Sequence, residues 1–191
     1  MTKLDKRTQK QSAPANSENS LVEWGKTIGV SLLLAFGIRT FVAEARYIPS
    51  ESMLPTLQVN DRLIIDKVTY EFRPPERGEI VVFQPTPALK EQGFRDAFIK
   101  RIVGLPGEQV EVKKGKVLIN GQPLTESYLA APPDYEYGPV VVPAEHYLVL
   151  GDNRNHSFDS HFWGFVPRQN IIGRAAIRFW PPHRIGSIPS P

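Results

Sequence analysis

The most apolar part of the chain is the segment Leu21–Ala45, which separates a polar N-terminal stretch from a body with strand-like patterning. Its uncharged stretch, Thr27–Ile38, has 12 residues. A helix of that length covers about 18 Å, short of the roughly 30 Å hydrocarbon core of a bilayer. The longer segment can span a bilayer if Glu23, Lys26 and Arg39 lie near the interfaces, where long basic side chains reach the headgroups. The pattern predicts a transmembrane anchor over residues 21–45.

Two alternatives for this segment remain open. Ala43-Glu44-Ala45 has the small-x-small form of a signal-peptide cleavage site, although the preceding Arg39 weakens that interpretation. A buried core helix is the other alternative for so short a run. Residues 1–20 are polar without apolar periodicity, which predicts a disordered basic tail. The excess of Lys and Arg before the anchor places this tail in the cytoplasm and everything after residue 45 on the far side.

From Ile48 onward, short apolar runs bounded by proline and glycine are typical of β-strands. Eighteen prolines and fourteen glycines favour a loop-rich β fold over a helical bundle. We predict a mainly antiparallel β domain over residues 46–191, with insertions near 84–97 and 120–140 and the middle hairpins as a candidate subdomain. The predicted strands are Arg62–Val68, Glu79–Phe83, Ala97–Val103, Val110–Val112, Lys116–Ile119, Val140–Val142, His146–Leu150 and Ile171–Trp180.

Charge and cysteine content narrow the function classes. The formal net charge of +3 is small and dispersed over 191 residues, which gives no reason to expect nucleic acid as a partner. The chain has no cysteine, which excludes disulfides, thiolate metal ligands and a cysteine nucleophile.

Ser52 is a candidate nucleophile in the run Ile48–Leu57. Pro49 and Pro55 restrict the backbone on both sides and would hold the hydroxyl in one place. A serine hydroxyl is a weak nucleophile until a neighbouring base takes its proton. Taken alone, an ordinary serine-rich turn is the better interpretation, so the hypothesis depends on finding the base.

Lys100 is the candidate base. By strand alternation it shares a face with Phe98 and Ile102, while Arg101 points to the other face. Apolar neighbours desolvate a lysine and lower its pKa toward the working pH of a general base. A solubilising lysine on an edge strand is the alternative, but it fits poorly with apolar residues on both sides of the Lys-Arg pair.

The third segment, Gly151–Ser160, is dense in polar groups inside an otherwise apolar region. Asp152 could pair with Arg101, since a buried arginine stays charged and needs a partner. Ser157 could hydrogen-bond the lysine amine and orient it, and Asp159 could fix the loop through backbone hydrogen bonds. A polar turn cluster is the simpler alternative.

Two histidines in the same segment allow other chemistries. His156 and His161 lie near Asp152 and Asp159, so both a Ser–His–Asp triad and a metal site of His156, Asp159 and His161 can be written. Neither explains the apolar setting of Lys100, and histidines in polar loops are usually solvated. A serine–lysine hydrolase is therefore the favoured interpretation.

Four segments together resemble the successive sequence boxes of the type I signal peptidases: Ile48–Leu57, Arg77–Phe83, Lys100–Gly107 and Gly151–Pro167. The resemblance runs in order from the apolar segment to about Trp180, which makes it more specific than any one box. It supports the membrane anchor. It implies a fold of two antiparallel-sheet regions, shared with the self-cleaving LexA-type repressors. It implies that preprotein signal peptides are cut after small residues, in the plasma or thylakoid membrane, without a cofactor or metal.

The resemblance also assigns roles. Ser52 is expected to be the nucleophile, Lys100 the general base, and Ser50 an oxyanion-hole donor beside the Ser52 backbone N–H. Ser157 is expected to orient the lysine, and Arg101 to pair with Asp152. The residues expected at the substrate pocket are Ile48, Met53, Leu57, Phe98 and Ile99.

Three positions depart from the family pattern, and two other classes remain as alternatives. Glu51 stands where glycine is frequent, and His156 and His161 stand where other polar residues are common. A LexA-like module that cuts only itself would need the same Ser and Lys, but it would lack the anchor. A non-catalytic β adaptor held at the membrane would need neither. The sequence does not indicate an oligomeric state.

Overall fold

The computed structural model describes residues 17–189, and the chain divides after Ile38 into a helical unit and a β-rich unit. Most of the predicted tail, residues 1–16, lies outside the described residues, whereas residues 17–20 belong to the first helix. The helices are α1 (Ser17–Gly37), α2 (Thr69–Phe72), α3 (Pro87–Glu91) and α4 (Ser160–Trp163), and a π-helical turn covers Ile38–Val42.

The β-rich unit has short strands joined mostly by turns. They are β1 (Ala43–Tyr47), β2 (Arg62–Asp66), β3 (Ile80–Phe83), β4 (Phe98–Gly104), β5 (Gln109–Lys113), β6 (Lys116–Ile119), β7 (Gln122–Pro123), β8 (Tyr137–Val141), β9 (His146–Leu150), β10 (Val166–Pro167), β11 (Ile171–Trp180) and β12 (Gly186–Ser187).

One helical segment, which begins in the helical unit and ends at Val42, has the length and composition that can cross a membrane. Within residues 17–189 it is the single such helix, Val22–Val42, with a mean hydropathy of 1.4. Glu23 and Lys26 form an ion pair of 3.0 Å on its surface. A helical segment therefore covers most of the predicted anchor.

The last residues of the predicted anchor, Ala43–Ala45, are a strand instead of membrane helix. They belong to β1, which pairs with β2 in a register running from Ala43 opposite Asp66 to Tyr47 opposite Arg62. β1 lies at the edge of its sheet and has no apolar alternation in its sequence. Edge strands often carry small and charged residues, which explains why the pattern did not reveal it.

Two antiparallel sheets make up the β-rich unit. The larger has the order β1-β2-β11-β3-β4-β9-β10, with β12 on β11, and the smaller has the order β7-β6-β5-β8. The prediction of a mainly antiparallel β fold with two sheet regions is confirmed. Strands β6, β9 and β11 have the predicted bounds.

The interior strands position the candidate site. All four residues of β3 are buried, with Val82 in one core cluster and Val81 in another, so this strand separates two apolar layers. β4 pairs with β3 on one side and β9 on the other, and six of its seven residues are buried. Lys100 therefore lies on one of the least accessible strands of the molecule.

Candidate active site

Ser52 lies in the turn-rich segment between β1 and β2. Two backbone bonds shape this segment: the Leu54 N–H donates to Glu51 O at 3.0 Å, and the Leu57 N–H donates to Met53 O at 2.9 Å. The side chains of Met53 and Leu57 are fully buried in the core. These apolar contacts anchor the turn that follows Ser52, and Ser52 itself is 7% exposed.

Lys100 and Ser52 meet across 48 positions of sequence. The lysine Nζ lies 2.8 Å from Ser52 Oγ and 3.0 Å from the carbonyl oxygen of Ile99. Lys100 is 4% exposed. Its neighbours on the same face of β4 include Ile102 and Phe98, which belong to or pack against a buried apolar cluster. The amine is thus held in a nearly dry setting against the hydroxyl.

Burial lowers the pKa of Lys100 from its ordinary value of 10.5 to about 8. The cause is desolvation, which disfavours the charged amine. The negative charges of Asp159 and Asp152 act in the opposite direction and raise the pKa. The balance leaves an amine that can lose its proton near neutral to mildly alkaline pH, as a general base must.

Ser50 lies beside the nucleophile, with its Oγ 3.3 Å from Ser52 Oγ. The backbone N–H of Ser52 has no acceptor within residues 17–189. Ser50 and Ser52 line a cavity of about 660 Å³, as Lys100 does. A backbone N–H and a hydroxyl beside a nucleophile are the kinds of donor that form an oxyanion hole.

The cavity around Ser52 adjoins a second cavity of about 300 Å³. Phe98 and Ile99 line both, and Ile48 lines the second. Met53 and Leu57 line neither of the two and pack in the core with Ile48. Of the residues expected at the substrate pocket, the structure therefore brings Ile48, Phe98 and Ile99 to a cavity surface.

Aromatic side chains not expected from the sequence complete one wall of the larger cavity. Phe94 contacts Phe98 with ring centroids 5.4 Å apart and Phe158 with centroids 5.7 Å apart. Phe94 comes from the insertion near residues 84–97, and Phe158 from the polar segment. Phe94 and Phe158 are exposed and lie in polar loops, so the sequence around them does not indicate that they meet beside the larger cavity.

Arg101 and Asp152 form a buried ion pair behind the site. The guanidinium Nε and Nη2 donate to the two carboxylate oxygens at 2.7 and 2.6 Å, and the side chains are 1% and 0% exposed. Thr56 Oγ1 donates to Asp152 at 2.6 Å. The Tyr128 ring covers the guanidinium at 4.0 Å. The pair ties β4 to the segment after β9, and Thr56 joins both to the segment that carries Ser52.

The polar segment after β9 supports the nucleophile through its backbone. The Asn153 N–H donates to Ser52 O at 3.1 Å, and its side chain donates to Glu51 O at 3.2 Å. A Cβ on Gly151 would lie only 2.6 Å from Ser157 Cβ and would overlap Ser52 O. Glycine at this position therefore allows the segment to approach the nucleophile.

Ser157 and Asp159 occupy different positions in this segment. Ser157 is buried, and its Oγ has no hydrogen-bond partner among the described residues, so its expected bond to the lysine is not formed here. Asp159 accepts from the Gly151 N–H at 2.9 Å and caps α4 by accepting from the His161 N–H. The role of Ser157 stays a prediction.

The two histidines do not contact the serine. His156 lines the larger cavity with its Nδ1 3.3 Å from Asn153 Oδ1, and His161 Nδ1 lies 2.7 Å from Asp159 Oδ1. Over residues 17–189, no group of three or more His, Asp or Glu side chains is arranged to hold a metal ion. The geometry thus favours Lys100 as the partner of Ser52.

A buried ion pair, Glu126–Arg154, is a further feature that the sequence did not reveal. The Arg154 guanidinium donates to the Glu126 carboxylate at 2.5 and 3.0 Å, and the two side chains are almost fully buried. Prolines and polar residues surround Glu126 in the sequence, which predicts a surface insertion. Its partner is 28 residues away, and local patterning carries no information about such a distance.

A buried lysine against a serine in an antiparallel β fold is the arrangement that a serine–lysine hydrolase needs. Residues 21–180 match the family described as "Signal peptidase, peptidase S26". The chain is 63% identical over 185 residues to "Signal peptidase I" of Leptolyngbya laminosa, covering 96% of this chain and 91% of that protein. It is 65% identical over 178 residues to "Probable signal peptidase I-2" of Synechocystis sp., covering 93% and 80%.

A chloroplast protein is also similar. "Probable thylakoidal processing peptidase 2, chloroplastic" of Arabidopsis thaliana is 50% identical over 163 residues, covering 84% of this chain and 43% of that protein. The chain belongs to the signal peptidase family, peptidase S26, and is a serine endopeptidase. These relationships confirm the predicted family and do not favour the LexA-like or adaptor alternatives.

Proposed function

We propose that the chain is a membrane-anchored endopeptidase that removes N-terminal signal peptides from exported preproteins, with Ser52 as nucleophile and Lys100 as general base. The observation that carries the proposal is the 2.8 Å contact between Lys100 Nζ and Ser52 Oγ, made by a lysine that is 4% exposed. The relatives named as signal peptidases support the substrate class.

In the proposed reaction, the neutral amine of Lys100 takes the proton of Ser52 as Oγ attacks the scissile carbonyl. The Ser52 N–H and the Ser50 hydroxyl donate to the oxyanion of the tetrahedral intermediate, at roughly 3–4 kcal/mol per donor in other serine hydrolases. The lysine then protonates the leaving amine. In the second half it activates a water molecule that hydrolyses the acyl-enzyme ester and regenerates Ser52.

The cavity walls favour small side chains next to the scissile bond. Phe98 and Ile99 line both cavities beside Ser52, and Ile48 closes the second. We infer that these apolar walls hold the side chains next to the scissile bond, and the relatives named as signal peptidases support a preference for small ones.

The anchor sets where the enzyme works. Val22–Val42 has the length and composition of a membrane span. Basic residues before it favour a cytoplasmic N-terminus, which puts the β-rich unit on the trans side of a plasma or thylakoid membrane. A preprotein's signal peptide lies in the same bilayer, so its cleavage site emerges on the side where Ser52 lies.

Purified full-length protein in detergent, incubated with a preprotein, tests the proposal. We expect cleavage at one site, identified by the N-terminal sequence of the product. Ser52→Ala and Lys100→Ala should each abolish it, whereas Ser187→Ala and Lys116→Ala, which change the same residue types at exposed positions, should cleave at the wild-type rate. The double variant should be no worse than either single one. Turnover by Ser52→Ala or Lys100→Ala would contradict the mechanism.

A further inference from the structure

Asp159 is a buried carboxylate that connects the general base with a histidine outside the active-site cavity. Its Oδ2 accepts from the Gly151 N–H at 2.9 Å, and its Oδ1 lies 2.7 Å from His161 Nδ1. Burial lowers the pKa of Lys100, and the charge of Asp159 raises it. Any group that changes the orientation or effective charge of Asp159 therefore acts on Lys100.

The His161 ring is fixed in place by aromatic neighbours. The Tyr135 ring stacks on it with centroids 4.2 Å apart and an interplanar angle of 13°, and the Phe162 ring lies 3.9 Å away. Tyr137 approaches edge-on at 6.4 Å. The side chain is 12% exposed. Because an ionised carboxylate has no proton to give, Nδ1 is the donor in the contact with Asp159.

His161 does not reach the reacting groups. It is absent from the residues that line the cavity around Ser52, and in the described part of the chain it makes no hydrogen bond to Ser52 or Lys100. An effect of His161 on catalysis must therefore pass through Asp159. The other carboxylate that acts on the lysine, Asp152, is held by Arg101 and is separate from this contact.

Asp159 also fixes the backbone behind the nucleophile. The Gly151 N–H that it binds begins the segment in which the Asn153 N–H donates to Ser52 O at 3.1 Å. The Asp159 carboxylate thus fixes the backbone after β9 that supports Ser52. Its negative charge also acts on Lys100.

We propose that His161 is a positioning residue that donates from Nδ1 to Asp159, holds this carboxylate in place, and so tunes general-base catalysis by Lys100 without contact with the substrate. The proposal rests on the proposed Ser52–Lys100 mechanism. Removing the donor takes positive potential away from Asp159, whether the imidazole is neutral or protonated. The carboxylate then acts more strongly on Lys100 and favours the charged amine.

The expected effect is a displacement of the pH profile rather than a loss of the active site. In His161→Phe, which keeps a ring against Tyr135 but has no donor, the acidic limb of kcat should move to higher pH by roughly one unit. On that limb a one-unit shift means about tenfold lower turnover, while the alkaline plateau and KM should stay near the wild-type values. His161→Asn offers an amide N–H near the Nδ1 position, so it should restore the limb.

A second variant keeps the test decisive if the phenylalanine perturbs folding. Asp159→Asn removes the negative charge and should move the acidic limb in the opposite direction, to lower pH. With no carboxylate to act through, His161→Phe should then have no further effect on the limb in the double variant. The control is His146→Phe, because His146 also uses Nδ1 but contacts the carbonyl oxygen of Ala144 instead of a carboxylate; its profile should equal the wild type.

The experiment uses full-length protein in detergent, with a preprotein substrate, kcat and KM measured across pH, and melting temperatures for every variant. If the acidic limb of kcat lies at the same pH in His161→Phe as in the wild type, the proposal is overturned. Equal losses of kcat at all pH values in the Phe and Asn variants, with lower melting temperatures, would show a merely structural role and would also overturn it. Failure of the Ser–Lys mechanism is separate, since it would appear as activity in Ser52→Ala or Lys100→Ala.

Discussion

Lys100 and Arg101 are adjacent on β4 and both are buried, but in the described part of the chain only Arg101 forms an ion pair with a carboxylate. Arginine stays charged when buried, so Asp152 compensates it. Lysine can lose its proton, so burial without a paired carboxylate lowers its pKa to about 8. Two neighbouring basic residues on opposite faces of one strand thus differ in charge balance: Arg101 is compensated by a carboxylate, and the pKa of Lys100 is lowered.

The pH dependence of turnover follows from this pKa. The reactive form of Lys100 is the neutral amine, which is scarce below the pKa and predominant above it. We expect kcat to rise with pH through a limb with an apparent pKa of about 8. Lys100→Arg should be inactive at every pH, since arginine keeps its proton. A flat profile from pH 6 to about 10, or an active arginine variant, would contradict lysine as the base.

The buried lysine should also cost stability. Its folded pKa is depressed, so the unfolded chain binds the extra proton, and the cost is fully present below about pH 8 and disappears as the pH approaches 10.5. A displacement from 10.5 to about 8 corresponds to about 3 kcal/mol. We expect Lys100→Met, which has a similar shape without the amine, to be inactive yet more stable at pH 7 by about 1–3 kcal/mol.

Melting temperatures of the wild type and Lys100→Met, measured from pH 6 to about 10.5, test this expectation. The advantage of the methionine variant should shrink as the pH rises. The lysine becomes neutral in both the folded and the unfolded chain, so folding no longer has to bury a charge. Lys116→Met, at an exposed position, is the matched control and should show no pH-dependent difference. A Lys100→Met variant that is less stable at all pH values would show that the lysine contributes favourable contacts instead.

The Arg101–Asp152 pair should behave in the opposite way. Removal of one partner leaves an uncompensated buried charge, at a cost of about 3–5 kcal/mol. Arg101→Met and Asp152→Leu should therefore each lower the melting temperature strongly. Replacing both removes the two charges together, so the double variant should recover a large part of the stability. A double variant that loses the sum of both single costs would show that the individual contacts to Thr56 and Tyr128, and not the charge balance, stabilise this region.

The sequence predicted the parts of the fold that have strong local patterns. β9 is apolar along one whole face, and β11 has ten residues, so hydropathy alone predicts their bounds. β1 was missed because AEARY on a sheet edge has no apolar alternation. Local pattern identifies interior strands because burial dictates their composition, whereas an edge strand is defined by its pairing partner.

The site was predictable to a smaller degree. Lys100 was recognisable because its apolar neighbours are adjacent in sequence. The pairing of Glu126 with Arg154, the cover of Tyr128 over Arg101, and the meeting of Phe94 with Phe158 all depend on loops that approach each other in three dimensions. Such contacts leave no periodicity in either segment, which is why sequence patterns did not indicate them.

Gly151 gives a prediction about backbone approach. An alanine Cβ there would overlap Ser157 and the Ser52 carbonyl oxygen, so the segment must move away from the nucleophile. We expect Gly151→Ala to lose about 1–3 kcal/mol of stability, as overpacked sites do, and to lose most of its turnover. Gly186→Ala is the matched control, because no atom lies within 4 Å of its added Cβ. Full activity in Gly151→Ala would show that the close approach is dispensable.

The anchor gives the last prediction, since the structure bears on whether the apolar segment is retained or removed. Cleavage after Ala45 would take away three of the five residues of β1 and most of its pairing with β2. A retained segment keeps this strand, so we expect the mature chain to include Val22–Val42 and to resist extraction from membranes by alkaline carbonate.

Protease added on the trans side of sealed vesicles should digest the β-rich unit and leave the first 20 residues intact, and a tag placed before Leu21 reports this directly. A variant with Leu32→Asp and Leu34→Asp in the apolar helix should be extracted by carbonate, because two charges near the centre of a span cost about 5 kcal/mol or more. A mature N-terminus at Arg46 in a soluble, fully active protein would contradict the anchor and leave the Ser52–Lys100 mechanism standing.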